Sequence, residues 1–166
     1  MGAQHCEDFA RKGAAVVVTR LLRGWVWDAA VATRATTAIT HLARSPASSA
    51  LLLLPEVGAA AAVVAAMAAH STNATVTSTA LFALYWLAPD SAAALRVGEV
   101  GGVEAVISAL RSFVRVAWVV LPALALVDLL AYEQPIQAAP FPPPPPLASH
   151  TPPRSGEHTL SHTHSH

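Results

Sequence analysis

The chain of 166 residues holds a single cysteine, Cys6. One thiol excludes a disulfide framework and a metal site built from cysteines of one chain. Charge is scarce as well: Asp, Glu, Lys and Arg make up 12%, ten of each sign, for a formal net charge of zero. That balance argues against a dedicated nucleic-acid binder, so no nucleic-acid partner is expected. No GxSxG, P-loop, HExxH, dinucleotide fingerprint or CxxC occurs. The carboxylates are scattered through the sequence, and His41 and His70 have no evident acid or thiol partner. No catalytic, cofactor-binding or metal-binding residue is assigned, and a non-enzymatic role is expected. Glu7, Asp8, Arg11 and Lys12 stand where a secretory leader needs an apolar core, which predicts an intracellular protein, cytoplasmic or nuclear. Asn73-Ala74-Thr75 matches a glycosylation sequon, but in that setting Asn73 reads as a helix cap.

What the chain has is apolar residues, 54% of the total, and they recur. Glu56 to Ala88 lies on Glu99 to Ala131 without a gap at an offset of 43, with 12 of 33 positions identical. Gly13 to Ala43 fits onto Gly58 to Ala88 at an offset of 45. A period in the forties with two helical patterns per unit marks stacked helical repeats. In the middle copy Val63, Val64 and Met67 form one stripe at helical spacing, and Val76, Ala80, Ala83, Leu84 and Leu87 form a second. Ser71-Thr72-Asn73 divides them and offers a cap; Asp28 stands at the matching place in the first copy. In the last copy Gly101-Gly102 opens the first helix, and Val103, Val106, Ile107 and Leu110 make its stripe.

The GGVEAVISAL segment, the helix–break–helix order and the endings TTAITHLA and TALFALYWLA resemble armadillo repeats, with HEAT-like repeats as the near alternative. The resemblance implies an all-α, armadillo-like α-solenoid of about three repeats (13–43, 45–88 and 90–131), with Ala47 to Leu54 and Ala92 to Val97 as the short first helices of the second and third. Residues 1–12 then read as an N-terminal arm, 13–137 as the repeat domain and 138–166 as a tail. It also implies a non-catalytic scaffold or adaptor with a protein partner, and self-association through open repeat ends. In peptide-binding armadillo proteins an asparagine precedes the final Leu-Ala of each repeat. Here that position holds His41, Trp86 and Leu129, and the aromatic position four residues earlier holds Thr37, Phe82 and Ala125. The asparagine ladder is absent and the aromatic ladder has one rung. Phe82, Tyr85, Trp86 and His41 are the candidate partner-binding residues, if they are exposed; burial between repeats is the competing outcome. Trp25 and Trp27 fall in the turn of the first copy and read as structural. Arg20, Arg23 and Arg34 read as a solvated face sooner than as a basic patch.

Val116 to Tyr132 carries a second reading, a short membrane span in a small membrane-associated helical protein. Asp128 inside it opposes that, since a carboxylate near a bilayer centre costs a few kcal/mol. Pro122 opposes any uninterrupted helix; either the helix is distorted or it starts there. Beyond residue 137 the composition changes. Phe141 followed by Pro142, Pro143, Pro144 and Pro145 resembles an EVH1 ligand and predicts polyproline II. The histidines at 158, 162, 164 and 166 sit in a segment with little to bury, predicted to be disordered, and define no metal site.

Overall fold

A computed structural model describes residues 2–132, and nine helices form among them, with no strand. The proline run with Phe141, and the histidine-rich end, lie outside the described residues. The helices come as triplets. First are α1 (Gly2–Arg11), α2 (Ala14–Gly24) and α3 (Ala29–Ala43). Next are α4 (Pro46–Leu52), α5 (Ala59–Ala69) and α6 (Ala74–Leu87), then α7 (Ser91–Glu99), α8 (Gly102–Ser112) and α9 (Ala117–Tyr132). The stretch read as an arm is therefore mostly helix. Glu7 and Arg11 pair one turn apart at 3.5 Å, and Ser45 Oγ donates to Glu7 Oε1 at 2.7 Å, tying α1 to the start of α4.

Packing follows the triplets. Within each, the second helix lies against the third. Between them α2 meets α5 and α5 meets α8, while α3 meets α6 and α6 meets α9. Equivalent helices thus touch their nearest counterparts. Their position explains why α6 is apolar nearly all round: a helix with neighbours on two sides must bury two faces. Val76, Ala80, Ala83 and Leu87 are buried, and so are Leu81 and Leu84. Ile39, Leu52, Val97 and Leu126 are also fully enclosed.

The repeat is visible in backbone chemistry. Gly13, Gly58 and Gly101 occupy equivalent places ahead of α2, α5 and α8, and all three have positive φ, 92°, 59° and 87°. Only glycine visits that region without a steric cost, so the glycine signal is a turn requirement. At the next break Asp28 accepts from the N–H groups of Ala30 and Val31, both at 2.9 Å. Asn73 does the same for Thr75 and Val76 at 3.1 and 3.2 Å. These side chains satisfy donors that a helix start leaves unpaired. The third unit has Val116 at this position, with no capping oxygen.

α9 runs through Pro122 without a break. At 16 residues it extends about 24 Å. No helix among the described residues is long and apolar enough to cross a membrane.

Candidate functional site

α3 and α6 pack side by side, and their C-terminal turns together present a cluster of large side chains to solvent. Phe82, Tyr85 and Trp86 are 46%, 38% and 37% exposed. The choice between a surface patch and burial between units falls to the surface. The reason is geometric: Leu81, Leu84 and Leu87 take the faces of α6 that meet α3 and α9, and residues 82, 85 and 86 take what remains. Phe82 and Trp86 are one turn apart on the same stripe. The Tyr85 and Trp86 rings meet edge to face, centroids 5.8 Å apart and planes at 89°. That arrangement uses the positive ring edge against the negative ring face and holds both side chains in place.

Arg44, at the end of α3, lays its guanidinium over the Trp86 ring, with Cζ 5.4 Å from the centroid. A cation over an indole face is worth about 0.5–1 kcal/mol at an exposed site. Sequence reasoning missed Arg44. Its signal was present, a cation three residues beyond His41 and so on the same helix side. His41 itself is exposed, one turn before Arg44. The chemistry on offer is a flat aromatic surface edged by the Arg44 cation, suited to an apolar group with a carboxylate or backbone carbonyl beside it. The other ladder positions add little: Thr37 and Leu129 are half-buried and Ala125 is exposed but small.

The remaining singled-out residues have structural duties or none. His70, without a partner in the sequence reading, accepts a place between units: its Nε2 lies 2.8 Å from the Val26 carbonyl oxygen. That contact requires the proton on Nε2, because a carbonyl only accepts. Arg23 donates to the Gly58 carbonyl at 3.1 Å, while Arg20 and Arg34 are exposed. Trp25 and Trp27, expected to be structural, instead point outward, Trp27 at 80% exposure. What the turn uses is backbone: Trp25 N–H donates to Leu21 and Asp28 N–H to Trp25, both at 3.0 Å. Asp90 caps α7 through the Ala93 N–H at 2.9 Å. Among the described residues no group of three or more His, Cys, Asp or Glu gathers where a metal ion could be held.

A hollow of about 370 Å³ lies between α5 and α8, lined by Val64, Met67, Phe113 and Thr77. The Thr77 hydroxyl is buried there without a hydrogen-bond partner. Its lining is mainly apolar, and it lies in the seam between two packed units, away from the aromatic cluster.

No family model, curated protein or solved structure matches this chain.

Proposed function

We propose that this chain is a non-catalytic protein-interaction scaffold built as an armadillo-like α-solenoid, with partner contact on the face made by the ends of α3 and α6. Three observations support the solenoid: the repeat offsets of 43 and 45, the equivalent positive-φ glycines, and contacts that run from each helix to its counterpart in the next unit. The observation that carries the binding face is the exposed cluster of Phe82, Tyr85 and Trp86 with Arg44 over Trp86. Exposed aromatics that already pack on one another have less side-chain entropy to lose on binding, and Trp, Tyr and Arg supply most energetic hot spots of protein interfaces. The partner is a protein segment with an apolar anchor for the aromatic surface and an acceptor for Arg44.

Selection of a displayed random-peptide library on the purified chain tests this. Peptides that survive are expected to lose about 30-fold or more in affinity against Trp86→Ala and against Arg44→Ala combined with Phe82→Ala, the scale of a hot-spot loss. Selected peptides that bind these variants as tightly as the unaltered chain would remove the face from consideration.

A further inference from the structure

The two ends of the helix stack differ from its middle in one systematic way. Positions that are buried in the middle unit are open at the ends. On α9, Leu121 is 67% exposed and Leu124 48%; their equivalents on α6, Ser78 and Leu81, are buried against α9. At the opposite end, Val17 and Leu21 of α2 are about half exposed, while their equivalents Ala62 and Ala66 on α5 are buried against α2. Val31 and Ala38 of α3 are partly open where Val76 and Ala83 are fully covered. Each end also has a hollow, about 380 Å³ between α8 and α9 and about 400 Å³ between α2 and α3.

We propose that the α8/α9 end of one copy docks on the α2/α3 end of a second copy, continuing the stack in the register that already joins the units inside each chain. This rests on the array reading above. The occupant is named by the interface seen twice within the chain: the surface that covers an α5/α6-type face is an α2/α3-type face of the same repeat. Thr36 and Thr79, whose hydroxyls lie 3.0 Å apart, set the internal register. Carried over to two copies, it places Leu124 level with Arg34 of the second copy. Apolar burial of Leu121 and Leu124 against Val17, Leu21 and their neighbours carries the contact. Such a contact is heterologous and does not close on itself, so it builds short open chains and not a fixed dimer.

The experiment uses the full chain in a dilution series by light scattering after size exclusion, with circular dichroism on every sample. The unaltered chain is expected to rise past twice the monomer mass as concentration increases. Leu21→Glu and Leu121→Glu, both at exposed positions, should each lose self-association, and an equimolar mixture of the two should regain a heterodimer through the remaining ends. The same pattern with Leu21→Ser and Leu121→Ser guards against a misfolded glutamate variant. An unaltered chain that stays monomeric while melting cooperatively, a single variant that still dimerises, or a mixture that stays monomeric would each overturn the end-to-end contact. A chain without a cooperative helical melt would instead overturn the array reading beneath it.

Discussion

The Ser78 hydroxyl donates to the Trp118 main-chain oxygen at 3.0 Å, and that oxygen is the one Pro122 leaves without a helical partner. In an α-helix the carbonyl of residue 118 accepts from the N–H of residue 122, and proline has none. Ser78 sits on α6, facing α9, and supplies the missing donor from outside the helix. Ser78→Ala is expected to cost about 1–2 kcal/mol, because the carbonyl loses the donor that stands in for the missing Pro122 N–H. In a Pro122→Ala background the restored N–H takes over, and the same serine change should cost almost nothing. A double-mutant cycle by urea unfolding reads this as a coupling of about 1 kcal/mol; additive costs would show that the serine and the proline are unrelated.

Leu81 and Leu124 occupy equivalent repeat positions with opposite surroundings, one fully enclosed between α6 and α9 and the other on the open end. Leu81→Ala should cost about 2–5 kcal/mol, the range for an enclosed leucine whose site cannot collapse. Leu124→Ala should stay within about 0.5 kcal/mol in dilute solution. Equal costs at the two positions would contradict the repeat register.

Much of the fold was legible because it is written locally. Glycines that need positive φ, Asp28 and Asn73 as caps, and stripes at helical spacing each reveal a helix boundary or face without any distant contact. What escaped depends on contacts remote in sequence. Pro122 looked like a helix break until Ser78, more than forty residues earlier, met the freed carbonyl. α1 read as an arm because its pattern lies outside the aligned repeat, and its anchor, Ser45 on Glu7, is 38 residues away. The aromatic cluster was half legible: residues 82, 85 and 86 stand together in sequence, but Arg44 reaches Trp86 only once α3 and α6 are side by side. Trp25 and Trp27 misled because aromatic size usually means burial, whereas this turn is held by backbone hydrogen bonds, the Asp28 cap and His70 on the Val26 carbonyl, without either indole.

The third unit invites a stabilising change. Val116 stands where Asp28 and Asn73 cap the earlier long helices, and its backbone oxygen accepts from Val119 and Val120 while no side-chain acceptor serves the first turn. Val116→Thr keeps the shape of this partly buried side chain and adds a hydroxyl that can accept from the 118 or 119 N–H. The expected gain is about 0.5–1 kcal/mol, a rise of a few degrees in Tm. A lower Tm would mean that apolar contact at this position outweighs the cap.

Two glycines three residues apart should respond to alanine with opposite signs. Gly98 lies in the last turn of α7 with helical backbone, and a Cβ there meets nothing within 4 Å. Alanine removes unfolded-chain entropy and suits a helix, so Gly98→Ala is expected to stabilise by up to about 1 kcal/mol. Gly101 has equally open surroundings, with the nearest atoms 3.9 Å from a built Cβ, but its φ is +87°. There the clash is between the added carbon and the residue's own backbone, so Gly101→Ala should destabilise by about 1–2 kcal/mol. Because neither site is crowded, steric contact with neighbours cannot produce the difference. Thermal melts that move in the same direction for both variants would show that the αL turn before α8 is not what Gly101 provides.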